Sequence, residues 1–231
     1  MSIMNSTINF EKSSQIVRVE YTDSNAMSFA KEISLEDYVK LLSKTRDGVE
    51  KTIIPRLPEG TVYLEWGDAF NYNIAVAVNA MVHPTAFMSS ENVAMLPFPG
   101  LIFLFKVERG ILTNSRCFAI QALPRAVTPE TEIYMFPYGN VYDDGKLCWG
   151  SNFDISHVES VASLETVVET FFNATMNRDL FKEQHLNEDA LKKKKRKNYG
   201  LEDLLSDMVE RGSFDNHLLK KYGQLKDVLK F

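Results

Sequence analysis

Cysteine is scarce in this chain of 231 residues: Cys117 and Cys148 are the whole supply. That excludes the dense disulfide framework of a small exported domain. The two thiols could pair with each other, but in a non-exported chain of this size they are expected reduced. No Cys-x-x-Cys occurs and His83, His157, His185 and His217 are scattered, so no spacing suits zinc and no metal is expected. No cofactor is expected either. Long apolar runs are missing, and none approaches the roughly 20 residues that cross a bilayer. The opening MSIMNSTINFEKSSQ lacks a basic stretch followed by an apolar one, so no export signal is expected and the cytoplasm is the expected location. An excess of positive charge is also absent: the net charge is -5, which gives no support for a nucleic-acid-binding surface overall.

What the chain does contain is enough apolar material to fold. Hydrophobic residues make up 45% and charged residues 25%, the balance of a folded domain with at most a modest appendage. Ile8–Phe10 and Gln15–Tyr21 read as short strands, and Ser34-Leu-Glu-Asp37 as a helix start leading to Leu35, Tyr38, Val39 and Leu42 at helical spacing. The turn cluster Arg56–Gly60 precedes strand-like Thr61–Trp66 and Tyr72–Asn79. Leu101–Val107 is a continuous apolar run, Glu108-Arg-Gly110 a hairpin turn, and Cys117–Leu123 the end of a return strand. Thr131–Phe136 is a third strand candidate, which predicts an antiparallel meander.

Beyond Ser156 the pattern becomes helical. Leu164, Val167, Val168, Phe171 and Phe172 form a stripe wide enough to lie on a sheet. Leu201, Leu204, Leu205 and Met208 repeat the spacing, as do Leu218, Tyr222, Leu225 and Leu229, with a break at Arg211-Gly212. Strands first and helices afterwards is an α+β order. Lys192–Lys195, Arg196 and Lys197 form a basic run whose plainest reading is a solvated face. The sharper one is a contact with an acidic protein partner or nucleic acid.

The chemistry concentrates in TEIYMFPYGNVYDDGKLCWGSN, residues 131–152. A strand ends at Phe136, Pro137–Asn140 forms one turn, and Asp143-Asp-Gly145 forms a second. Cys148 follows between Leu147 and Trp149. A thiol between two turns is placed to face a groove, whereas Cys117 inside an apolar strand reads as core.

This segment resembles the ubiquitin-conjugating enzymes, in which a His-Pro-Asn turn is followed by a glycine-bearing loop, an aliphatic residue and a catalytic cysteine eight positions after the asparagine. Asn140, Gly145, Leu147 and Cys148 match at those offsets, while Tyr138 and Gly139 stand where the histidine and proline would be. Leu96–Phe103 (LPFPGLIF), Asn140–Ser151 and Glu169–Ala174 (ETFFNA) are similar to the bacterial branch called PRTRC system protein B, the resemblance covering roughly residues 60 to 180.

The resemblance implies a UBC-like antiparallel meander with C-terminal helices packed on it. The run of elements along the chain, with a loose boundary near residue 95, gives an N-terminal α+β unit at 1–95, a UBC-like catalytic core at 96–182 and a C-terminal helical extension at 183–231 that has no counterpart in the resemblance. The resemblance further implies that Cys148 accepts a ubiquitin-like protein as a thioester and passes it to an amine. The thiolate is the reactive form, and about 8.5 is its ordinary pKa.

Asn140 is expected either to stabilise the oxyanion or to shape the turn, two roles that are compatible. Asp143 and Asp144 could orient an incoming lysine or simply form the turn, and whether Tyr138 takes the histidine's role is open. Tyr142 and Trp149 read as groove lining or packing, outside the catalytic set. The implied partners are the ubiquitin-like protein, a ThiF-like activating enzyme and a deconjugating metalloprotease from the same gene cluster. The other outcome compatible with the missing histidine and proline is an inactive UBC-like module that docks a ubiquitin-like protein or its activating enzyme.

Overall fold

The computed structural model describes residues 6–10, 16–22, 28–34, 56–68, 70–87, 90–150, 157–194 and 199–229. Among the described residues eleven strands run in chain order: β1 Ser6–Phe10, β2 Ile16–Thr22, β3 Ser28–Ser34, β4 Thr61–Asp68, β5 Asn71–Val78, β6 Met81–Phe87, β7 Ser90–Phe98, β8 Gly100–Glu108, β9 Ile111–Ile120, β10 Glu132–Tyr134 and β11 Lys221–Gln224. The helices are α1 Leu164–Asn173, α2 Glu188–Lys193, α3 Leu201–Arg211 and α4 Leu225–Val228. Nine strands form one antiparallel sheet in the order β11-β10-β9-β8-β5-β4-β1-β2-β3, and β6 pairs with β7 as a separate ribbon. The α+β order is as expected, sheet first and helices after. Residue 95 lies inside β7, and strands from both sides of it share the large sheet.

The centre of the sheet is apolar on both faces because both are covered. On one face Tyr72, Ile74 and Val76 of β5 stand beside Leu101, Phe103, Phe105 and Val107 of β8 and Cys117 and Ala119 of β9. On the other, Ala75 and Ala77 stand beside Ile102, Leu104, Phe118 and Ile120. A strand buried on both sides loses the alternation of polar and apolar residues, which is why Leu101–Val107 reads as a continuous run. The β8–β9 hairpin closes through Arg109 (φ 56) and Gly110 (φ 74), two left-handed residues in a two-residue loop, the arrangement that matches strand twist.

The larger core receives α1 and α3. Leu164, Val167, Phe171 and Phe172 of α1 are buried, and Phe171 meets the Phe103 ring edge-on at 5.2 Å and 74°. Leu201, Leu204 and Met208 of α3 enter the same core. The β6–β7 ribbon lies against both helices, β6 toward α1 and β7 toward α3.

The last segment departs from the expected helix over Leu218–Leu229. Asn216–Leu218 is a tight 3-10 turn, 221–224 is strand β11, and only one helical turn, α4, follows. The edge of β10 explains the change: Ile133 pairs with Gly223 and Tyr134 with Lys221 along the strands, the Lys221 side chain forms an ion pair with Glu132, and the Leu225 and Val228 side chains still reach the smaller core. The helix expected to start at Ser34 lies outside the described residues beyond Ser34 itself, which ends β3. In the basic run, Lys192 pairs with Asp189 at 3.3 Å and Lys194 with Asp207 at 2.5 Å, while 195–197 lie outside the described residues. Among the described residues no helix is long and apolar enough to cross a membrane.

Candidate active site

After β10 the chain turns across the sheet, its descent fixed by Tyr138. The ring is fully buried, edge-on to Phe98 at 5.4 Å and 78° and to Phe214 at 5.8 Å and 89°. Its hydroxyl donates to the Pro97 carbonyl at 2.6 Å, and burial pushes the phenol well above its ordinary pKa. The residue in the histidine's place therefore anchors the turn to β7.

Gly139 follows because nothing larger fits. A Cβ there would lie 1.9 Å from the Asn177 carbonyl oxygen, and the Gly139 N–H points to the Met176 sulfur at 3.2 Å. A proline would add the first clash and lose the second contact.

Asn140 adopts φ 66, a left-handed conformation that asparagine tolerates. Its side chain is 5% exposed and ties two segments together. Nδ2 donates to the Thr175 carbonyl at 3.0 Å, and Oδ1 accepts from the Asn177 N–H at 3.1 Å. Its own carbonyl accepts from the Cys148 N–H at 2.9 Å. Thus the stretch after α1, the turn and the cysteine share one residue.

From 140 to 148 the loop is a small hairpin. Val141 bridges Leu147, the Tyr142 N–H donates to the Lys146 carbonyl at 2.9 Å, and the Gly145 N–H donates to the Tyr142 carbonyl at 2.9 Å. Asp144 closes the tip by accepting from the Lys146 N–H at 3.0 Å. Gly145 sits at φ 82, where an added Cβ would be 2.3 Å from the Phe118 ring. Residues 145–147 also lie along β9: the Cys117 N–H donates to the Gly145 carbonyl at 2.8 Å and the Leu147 N–H to the Ser115 carbonyl at 2.9 Å. Side-chain alternation then buries Val141 and Leu147 and leaves Tyr142 and Cys148 on the outer side.

The two thiols separate as expected. Cys117 is fully buried, and loss of solvent raises its pKa well above the ordinary value. Cys148 is half-buried and lines an open groove of about 800 Å³ with Tyr142, Asp143, Trp149, Leu180 and Lys182. Trp149 is held back by its indole N–H donating to Ser115 Oγ at 3.0 Å. The Tyr142 hydroxyl lies 3.5 Å from Cys148 Sγ, and this hydrogen bond, then the electrostatic effect of the neighbouring thiol group, raise the phenol's pKa.

Asp143 is clasped from the other wall. Lys182 Nζ is 2.6 Å from both carboxylate oxygens, and buried His185 places Nε2 at 2.9 Å from Oδ1. The bonds from Lys182 and then His185 hold Asp143 below the usual carboxylate range. Burial lowers the pKa of His185, so neutral His185 carries its proton on Nε2 and donates to Asp143.

Asn140, Asp143, Asp144 and Cys148 thus belong to one rigid hairpin, while Tyr138 is directed into the core. Reasoning from sequence passed over Tyr142 as a partner of the sulfur, although it lies in the same segment. Lys182 and His185 had no local signal, since only tertiary folding brings them to residue 143. Among the described residues, no three His, Cys, Asp or Glu side chains are grouped to hold a metal ion.

An antiparallel sheet followed by helices, with a half-exposed thiol on a hairpin beyond the last central strand, defines a protein of the UBC-like class. The chain matches prokaryotic E2 family D over residues 38–222 and belongs to that family. No curated protein matches it, and no solved structure does.

Proposed function

We propose that this UBC-like carrier accepts a ubiquitin-like protein as a thioester on Cys148 and transfers it to an amine. The observation that carries the reading is the contrast between the thiols: Cys148 faces an open groove from a hairpin pinned at both ends, and Cys117 is sealed in the sheet. In the first step the Cys148 thiolate attacks the thioester carbonyl on a ThiF-like activating enzyme, whose own thiolate leaves. In the second an amine attacks the new thioester, its nitrogen loses a proton, and Cys148 departs as thiolate. The PRTRC-type setting, with a deconjugating metalloprotease in the same gene cluster, is part of the proposal.

Of Asn140's two expected roles, its bonding to Thr175 and Asn177 supports the turn. The oxyanion role would fall to the second Nδ2 hydrogen. Asp143, kept ionised by Lys182 and His185, is suited to receive an incoming ammonium group, and Asp144 to closing the tip of the hairpin.

The experiment combines the protein with ATP, the activating enzyme and the ubiquitin-like protein and follows adducts by gel and mass. The expected adduct is released by reductant, becomes a reductant-resistant ester in Cys148→Ser and vanishes in Cys148→Ala. Wild type that binds the ubiquitin-like protein yet stays unmodified would establish the docking module instead. An adduct that survives Cys148→Ala and is lost in Cys117→Ala would move the site to the other sulfur.

A further inference from the structure

Transfer from a thioester passes through a tetrahedral intermediate whose carbonyl oxygen carries negative charge, and a fixed donor beside that oxygen lowers the barrier. The side-chain amide nearest in sequence is already engaged: Asn140 is 5% exposed and spans Thr175 and Asn177. The side-chain donor that does face the reacting atom is the Tyr142 hydroxyl, 3.5 Å from Sγ and on an exposed residue.

Its placement follows from the hairpin's register. With Val141 bridged to Leu147, residue 140 stands opposite 148 and residue 142 opposite 146, so Tyr142 and Cys148 are diagonal neighbours on one face. Diagonal pairs are within reach of an aromatic side chain. The backbone bonds at 142, 145 and 148 hold that register, so the phenol is aimed by the fold.

We propose that Tyr142 is a catalytic residue of the Cys148 reaction, its phenolic O–H donating to the free thiolate and then to the carbonyl oxygen of the acyl group carried by the sulfur. This rests on the thioester reading given above. As the amine nitrogen bonds to the carbonyl carbon, the C=O electron pair moves to oxygen and Tyr142 donates to the resulting oxyanion. When the C–S bond breaks, the pair returns to the carbonyl, the nitrogen's proton goes to solvent, and the leaving thiolate regains the Tyr142 bond. The phenol keeps its proton throughout, consistent with its raised pKa. An exposed, rotatable phenol can follow the charge from sulfur to oxygen, whereas the Asn140 amide is held in place by Thr175 and Asn177 and offers only its second Nδ2 hydrogen.

The test uses a synthetic peptide ending in Gly-Gly as an alkyl thioester to charge the full chain, mass spectrometry to measure the Cys148 adduct, and free lysine to discharge it. Tyr142→Phe should still charge and keep the wild-type melting curve, yet discharge about 10- to 100-fold more slowly, the loss of one hydrogen bond to a charged oxygen. Discharge within about twofold of wild type, from a fully charged variant, overturns the role of Tyr142 and leaves the carrier reading standing. If wild type itself never charges, the carrier reading falls and this inference falls with it.

Discussion

Replacing Asn140 by alanine separates a structural duty from a chemical one. The side chain makes two hydrogen bonds at a residue only 5% exposed, to the Thr175 carbonyl and from the Asn177 N–H. Leaving both partners unsatisfied costs about 1–3 kcal/mol each. Alanine at φ 66 adds roughly 1 kcal/mol more, since its Cβ crowds the following carbonyl in the left-handed region. The sum, about 3–7 kcal/mol, is a large share of the roughly 5–15 kcal/mol that holds a domain folded. Urea unfolding followed by circular dichroism should show the midpoint falling by about 1 M or more. Asn140→Gly loses the same bonds but relieves the backbone, so it should recover about 1 kcal/mol relative to alanine. An Asn140→Ala protein with the wild-type midpoint and discharge slowed about 100-fold would refute this reasoning and return the oxyanion role to the amide.

Gly139→Pro, which moves the turn toward the familiar triplet, should destabilise by about 3 kcal/mol or more, because the ring meets the Asn177 carbonyl and removes an N–H; thermal melting reads this directly. Folded His185 has a depressed pKa, so its stabilising contribution is full above about 6.5 and is lost as pH falls through the lower folded value. Wild type should therefore lose melting temperature between about pH 7 and about pH 5, with a flatter profile in His185→Gln; Asp143, also depressed, acts only below the ordinary carboxylate range. Lys182→Ala leaves Asp143 bonded only by His185 at Oδ1 and opens Oδ2 to an outside amine, so discharge of the charged protein to free lysine should quicken severalfold, and a slower rate would contradict a receiving role for that carboxylate.

The central meander was legible because its signals agree: the continuous apolar run Leu101–Val107, the Glu108-Arg-Gly110 turn and an alternating return strand. The offsets from Asn140 to Gly145 and Cys148 were legible too, since a hairpin of fixed register leaves its turn residues at fixed spacing. Leu218, Tyr222, Leu225 and Leu229 were misleading. Their helical spacing is genuine, but the unpaired edge of β10 supplied better backbone partners for 221–224, and tertiary pairing overrode local pattern. Tyr138 drew attention as a stand-in for histidine, whereas the surrounding Phe98, Phe136 and Phe214 rings drew its own ring into the core. The clasp on Asp143 could not be read locally, because Lys182 and His185 lie some 40 residues further on, beyond α1, and reach it only through the tertiary fold.

Peptide mapping of the full chain after charging with the Gly-Gly thioester tests the account most directly. The predicted result is a single hydroxylamine-labile acyl group on the tryptic peptide carrying Cys148, with Cys117 unmodified until the protein is denatured. An acyl group on Cys117 in the native protein, or none on Cys148 while that sulfur still reacts with iodoacetamide, would contradict it.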